Sequence, residues 1–272
     1  MNLLFSIDDN FVDQMLTTLY SISCHHQEKM NVYILQKEAL KETDKITDFI
    51  NKLGYDYQPI IIGQTGFSDA PTTDRYPETI YYRLLAHEFL PEDLDRILYL
   101  DADILCINDF SNLYKLDLGL NLYAAASHTK VGNLLNKFNQ KRLGLAEVTE
   151  YFNSGVLLMN LKQIRQQVRR EDIFAFIEDN YRTLFLPDQD VLNGLYGPEI
   201  ISLPDEVYNY DTRYGFIYES LSRGKWNSDW VMVHTVFLHF CGRNKPWIPK
   251  VADGLALLYK HYQAQAQKIL EK

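Results

Sequence analysis

Three observations in this 272-residue chain predict an α/β fold, with a mostly parallel sheet covered by helices on both faces. Short apolar runs alternate with amphipathic stretches through the amino-terminal half. The runs are almost continuously apolar, as strands buried on both faces must be. Polar loops follow them at regular intervals, where the crossovers of a parallel sheet begin.

Taken in order, Leu3 to Ile7 reads as a buried strand, Asp8 to Asn10 as a polar loop, and about Phe11 to Ser23 as an apolar-periodic helix. Asn31 to Leu35 is the second strand and Gln58 to Ile62 the third. Between them Lys41 to Leu53 is helical, with Ile46, Phe49, Ile50 and Leu53 on one face. Gly63 to Pro77 has loop composition, Ile80 to Phe89 is a helix, and Arg96 to Leu100 is a strand. Tyr123 to Ser127 is a further strand, Val131 to Leu145 a helical and looped excursion, and Gly155 to Asn160 a strand entered through Phe152-Asn153-Ser154. Leu161 to Tyr181 is helical, with a solvated basic face. Pro187 starts a helix to about Tyr196 that holds Asp188 near its amino terminus. Tyr208 to Trp230, rich in Tyr, Asn, Arg and Trp, reads as a binding segment or subdomain. Val231 to Phe240 is a strand, Gly242 to Pro246 a tight loop, and Leu255 to Leu270 a terminal helix. No repeat or low-complexity linker divides the chain, so a single domain spans 1–272.

The formal charge of −9 argues against a nucleic-acid protein. Three cysteines, Cys24, Cys106 and Cys241, without CxxC spacing fit reduced thiols and a cytoplasmic location. The start of the chain is too short in apolar residues for a signal peptide or a membrane span; peripheral membrane contact stays open.

The chemistry concentrates at Arg96-Ile97-Leu98-Tyr99-Leu100-Asp101-Ala102-Asp103, where a buried strand ends in two aspartates one residue apart. Uncompensated carboxylates there cost several kcal/mol each, on the order of any unpaired buried ion, so a cation is expected. In an extended backbone Asp101 and Asp103 project to the same side. His239 ends another apolar run. Two carboxylates and an imidazole suit manganese, or magnesium in its place, and leave positions for phosphate oxygens. Gly242 permits close backbone approach and Lys245 reaches a phosphate.

Together Phe5-Ser6-Ile7-Asp8-Asp9-Asn10, Tyr82-Arg83-Leu84, Leu98-Tyr99-Leu100-Asp101-Ala102-Asp103, Phe152-Asn153-Ser154-Gly155-Val156, Pro187-Asp188-Gln189-Asp190 and His239-Phe240-Cys241-Gly242-Arg243-Asn244-Lys245-Pro246-Trp247 resemble glycosyltransferase family 8. The resemblance covers nearly the whole chain and extends to bacterial α-galactosyl- and α-glucosyltransferases. It implies a GT-A type, Rossmann-like sheet with a small acceptor-side subdomain. Residues 1–160 would serve mainly nucleotide-sugar binding, 161–250 the donor sugar, the acceptor and the metal histidine, and 251–272 the terminal helix. It also implies a retaining transfer of glucose or galactose from a UDP-sugar to a glycan, glycolipid or glycoprotein acceptor. In that reading Asp101, Asp103 and His239 bind Mn2+, Asp8 and Asn10 hold the uridine and Phe11 stacks on the uracil. Gly242 and Lys245 grip the diphosphate. Arg83, Asn153, Asp188 and Gln189 surround the sugar, and Ala102 between the two aspartates joins the substrate set. Gln189, Asp188 and Asp190 form the catalytic group. Gln189 is a poor nucleophile, Asp190 is the carboxylate alternative if a covalent intermediate forms, and front-face attack within an ion pair is preferred. As alternatives to this leading reading, a metal-dependent phosphohydrolase or nucleotidyltransferase could also use Asp101 and Asp103, and a nucleotide-sugar binder would hold the donor without turnover.

Overall fold

The computed structural model describes residues 1–63, 67, 78–128, 142–143, 150–249 and 254–271. Most of the expected Gly63 to Pro77 loop and of the Val131 to Leu145 excursion lies outside the described residues.

A seven-stranded sheet has the order β3-β2-β1-β4-β7-β6-β8, formed by β1 (Asn2–Ser6), β2 (Asn31–Gln36), β3 (Asp56–Ile61), β4 (Arg96–Leu100), β6 (Tyr123–Ser127), β7 (Phe152–Asn160) and β8 (Ile200–Leu203). All pairings are parallel except those of β7, which runs antiparallel to β4 and β6. A small second sheet has the order β5-β10-β9, from β5 (Ile104–Cys106), β9 (Tyr210–Asp211) and β10 (Phe237–His239).

Alternate residues of each strand feed two cores. Phe5, Ile34, Leu98, Ala124 and Leu158 pack on one face with α1 (Val12–His25) and α2 (Thr43–Lys52). Leu4, Tyr33, Ile97, Tyr123 and Leu157 pack on the other, against the 3-10 segment Glu78–Glu88 and the helices α3 (Leu161–Gln167), α4 (Arg170–Asn180) and α5 (Pro187–Tyr196). In α1 the buried Val12, Met15, Leu16, Leu19 and Ile22 follow the helical repeat. A third cluster joins the small sheet to α6 (Gly215–Leu221), α7 (Ser228–His234) and α8 (Gly254–Leu270) through Leu105, Leu238, Tyr218, Val231 and Tyr259.

Four sequence expectations are corrected. Val231 to Phe240 is not one strand: Asn227 caps α7 by accepting from Trp230 N–H at 3.0 Å, and this cap outweighs the β-branched run, leaving only β10 as strand. Leu161 to Tyr181 breaks into α3 and α4, because an extended Val168 drops its side chain into the core. Ile80 to Phe89 is a tight 3-10 segment with a kink at Leu85, buried on nearly all sides and so without the amphipathic face that selects an α-helix. Finally, Asp101 and Asp103 do not sit on one extended strand. The chain turns between β4 and β5, with Ile104 N–H donating to Asp101 O, and the turn converges the two carboxylates.

Candidate active site

The strand order reverses between β1 and β4, where the chain builds outward in both directions. Crevices at such switch points, outside the carboxyl ends of the strands, are where open α/β sheets bind ligands. Asp8 follows β1 and Asp101 follows β4, and these two strands are paired neighbours.

Helix α1 fixes the Asp101–Asp103 turn. Thr18 Oγ1 donates to Ala102 O at 3.1 Å and to Ile104 O at 2.7 Å, and Ser21 Oγ accepts from Cys106 N–H at 3.0 Å. Ile104 lies opposite His239 in the antiparallel β5–β10 pair, which carries the histidine to the turn. One ligand atom each from Asp101, Asp103 and His239 lie within 4.8 Å of one another. His239 Nε2 is 3.2 Å from Asp103 Oδ1 and 3.9 Å from Asp101 Oδ2. The donor set, two hard carboxylate oxygens and one imidazole nitrogen, fits a divalent cation of the Mn2+ or Mg2+ type. The strand β7 gives it room: a Cβ on Gly155 would lie 2.4 Å from His239 Cε1 and 2.8 Å from Asp101 Oδ2.

Electrostatics around the triad are strongly coupled. Burial opposes the charged form of Asp103, but His239 and Lys245 override it and hold the carboxyl far below its usual range. Burial likewise opposes an imidazolium at His239, while Cys241 and Asp103 beside it push its pKa well above the ordinary value. Lys245 Nζ donates to Asp103 Oδ2 and to Phe240 O.

A second group of polar side chains adjoins the first through Arg83. Its guanidinium pairs with Asp101 Oδ1 at 2.9 Å and Asp188 Oδ2 at 3.3 Å, donates to Ser154 O at 2.8 Å, and lies 4.3 Å over the Tyr99 ring. Tyr99 Oη donates to the same Asp101 Oδ1 at 2.7 Å, so Asp101 keeps Oδ2 toward His239. Burial raises the Asp188 carboxyl, with Arg83 opposing. Ser154 Oγ donates to Asp188 at 2.9 Å. Gln189 Oε1 accepts from Asn153 Nδ2 at 3.1 Å and from Ser154 N–H at 3.3 Å.

The remaining expected residues are placed as follows. Asp8 caps the short turn Asp9–Phe11 by accepting from Asn10 N–H at 2.9 Å, and with Ile7, Lys37, Leu40 and Thr79 it lines a cavity of about 270 Å³. Phe11 meets Trp247 edge-on at 6.4 Å. Gly242 has φ +85°, a conformation glycine adopts without strain. Asp190 stands apart: fully buried, it accepts from Arg142, from Tyr151 Oη at 2.6 Å, and from Phe185 and Leu186 N–H at 2.7 and 3.1 Å. Those contacts tie it to the start of α5 and to Arg142, away from the Asp101 triad. Of the aromatic Tyr208 to Trp230 segment, Tyr210 and Tyr218 stack in the core at 4.4 Å, whereas Phe216 is 83% exposed. Sequence reasoning gave no role to Asn209 and Thr18, single polar residues with no motif of their own, or to Tyr99, which lies inside the Leu98 to Asp103 motif but reads there as an apolar strand residue.

Comparison with known proteins gives a consistent result. The family model described as Glycosyl transferase family 8 matches residues 2–250. A lipopolysaccharide 1,2-glucosyltransferase of Escherichia coli (strain K12) is 30% identical over 91% of this chain and 72% of its own length. A lipopolysaccharide 1,3-galactosyltransferase of Salmonella typhimurium is 25% identical over 90% and 72%. Among solved structures, the galactosyltransferase LgtC in complex with donor and acceptor sugar analogs superposes with a TM-score of 0.84 at 23% identity, covering 97% of this chain and 96% of that one. That likeness fixes the overall GT-A architecture.

Proposed function

The chain belongs to glycosyltransferase family 8, and from that premise we propose that it transfers a hexose, glucose or galactose, from a UDP-sugar to a glycan acceptor with retention of configuration. The observation that carries the reading is the convergence of Asp101, Asp103 and His239 within 4.8 Å at the switch point of the sheet. The galactosyl and glucosyl relatives that act on lipopolysaccharide support the hexose and the glycan.

Asp101, Asp103 and His239 hold the divalent cation, Mn2+ or Mg2+. When bound, it neutralises charge on a diphosphate. Asp8 and Asn10, at the polar loop after β1, take the uridine, and Phe11 supplies an apolar ring beside it. Gly242 lets the backbone approach the diphosphate, and Lys245 turns from Asp103 to the phosphate oxygens. A preorganised partner of this kind is worth roughly 3 kcal/mol of transition-state stabilisation, about a hundredfold in rate. Arg83, Asn153, Asp188 and Gln189 form a wall of fixed donors and acceptors for the sugar hydroxyls, with Ala102 leaving space between the acidic ligands.

For the chemical step, the bond between the anomeric carbon and the leaving phosphate oxygen breaks, and the acceptor oxygen bonds to that carbon from the same face. The acceptor hydroxyl proton passes to the departing diphosphate. Gln189 Oε1 is already engaged by two N–H donors, and Asp190 is enclosed by Arg142, Tyr151 and two main-chain amides, so neither is poised as a nucleophile. This favours the ion-pair route over a covalent glycosyl-enzyme.

The test is a donor screen with Mn2+, reading UDP release in the wild type and in Asp101→Ala. Activity with a UDP-hexose, lost in the variant, is expected. Undiminished release by Asp101→Ala would overturn the metal assignment.

A further inference from the structure

Building on the metal site proposed above, we propose that Asn209 is a positioning residue whose buried amide sets the tautomer of His239 and ties the metal-binding nitrogen to the sugar-side residues Asn153 and Gln189. The two ends of a side-chain amide differ only in whether they donate or accept, and here two main-chain donors tell them apart. Gly155 N–H donates to Asn153 Oδ1 at 2.9 Å, so that atom is an oxygen. The Asn209 atom 2.8 Å from it must then be the nitrogen, Nδ2. The other end of the Asn209 amide, 2.8 Å from His239 Nδ1, is therefore the oxygen, and Nδ1 carries the proton. The second anchor agrees. Ser154 N–H donates to Gln189 Oε1, which requires Nδ2 at the Asn153 atom 3.1 Å away and gives Asn153 the same orientation.

Three hydrogen bonds thus run in one sense, from His239 to Asn209, from Asn209 to Asn153 and from Asn153 to Gln189. Bonds aligned in this way polarise one another. With Nδ1 committed to Asn209, Nε2 is the ring nitrogen left facing the carboxylates, 3.2 Å from Asp103 Oδ1. Asn209 is fully buried and His239 is 4% exposed, so water cannot replace a lost partner cheaply. The Asn209 backbone is pinned as well: its carbonyl accepts from His128 Nε2 at 2.8 Å, and its N–H donates to Asp205 O at 3.1 Å. A metal-binding histidine whose other nitrogen donates to a fixed oxygen is held in ring orientation and made more basic, and removing such a partner costs about 10- to 100-fold in metal affinity.

The experiment measures Mn2+ binding by calorimetry in the wild type, Asn209→Ala and Asp103→Ala, with circular dichroism to check folding. It adds nitrogen NMR of 15N-histidine-labelled wild type loaded with diamagnetic Mg2+. We expect Asn209→Ala to bind Mn2+ about 10- to 100-fold more weakly while folded, and the wild-type His239 ring to carry its proton on Nδ1. Wild-type affinity in a folded Asn209→Ala would overturn the inference, as would an Nε2-protonated ring in the Mg2+-loaded wild type, a readout that stands even if the variant does not fold. Wild type and Asp103→Ala binding Mn2+ equally would instead remove the metal site itself, and the inference with it.

Discussion

At Gly155 the absence of a side chain leaves the room that the proposed cation site needs. A methyl there would meet His239 Cε1 at 2.4 Å, Asp101 Oδ2 at 2.8 Å and Asn153 Oδ1 at 3.0 Å, three groups already fixed by hydrogen bonds or ion pairs. Gly155→Ala is expected to destabilise the protein by about 1–3 kcal/mol through overpacking and to reduce the rise in melting temperature that Mn2+ produces, as read by thermal melts with and without the ion. His239 gives a pH dependence. Its pKa is raised, so below that value the ring holds a proton that the cation must expel, whereas Asp103, with its carboxyl depressed, stays ionised there. Mn2+ affinity is therefore expected to fall by about tenfold per pH unit on acidification below the raised pKa and to level off above it, as calorimetry over a pH series would show.

Two helices hold the site, and each depends on a specific polar contact. Helix α1 reaches the acidic turn through the Thr18 hydroxyl, which serves both Ala102 and Ile104 carbonyls. Thr18→Val keeps the shape and removes the one hydroxyl proton shared at this turn, chiefly with Ile104 O at 2.7 Å, at about 1–3 kcal/mol. Urea denaturation should report that loss, with weaker Mn2+ binding beside it. Helix α5 presents Asp188 and Gln189 because Asp190, one residue further on, anchors its start to Arg142, Tyr151 and the Phe185 and Leu186 amides. Removing one partner of a buried ion pair costs about 3–5 kcal/mol. Asp190→Ala is accordingly expected to lower the denaturation midpoint steeply, an outcome a nucleophile without a structural duty would not give.

Over the whole molecule, two sheets meet at the proposed cation site: β4 of the large sheet runs into Asp101 just past its end, and β10 of the small one ends in His239. A cation bound across them should stabilise the native state. At about 100 times its dissociation constant the gain is about 2.7 kcal/mol, expected in the wild type and absent in Asp103→Ala when unfolding is followed with Mn2+ and with a chelator. Much of this arrangement was legible in the chain. Continuous apolar runs marked β1, β2, β4, β6 and β7, and the acidic pair after a buried strand marked where charged groups gather. What was misread were segments whose local signals competed, such as Val231 to Phe240, where an asparagine cap outweighed β-branched side chains.

The residue types and their order therefore determined the fold class and the candidate ligands Asp101, Asp103 and His239, because carboxylates at the end of a buried strand call for positive charge, part of which Arg83 and Lys245 supply. Only the tertiary structure decided that a turn, not strand alternation, converges the carboxylates, that Asp190 braces a helix, and that Asn209 faces His239. Each rests on a contact between distant residues, Thr18 with Ala102 84 positions apart, Arg142 with Asp190 48 apart and Asn209 with His239 30 apart, which no local pattern encodes.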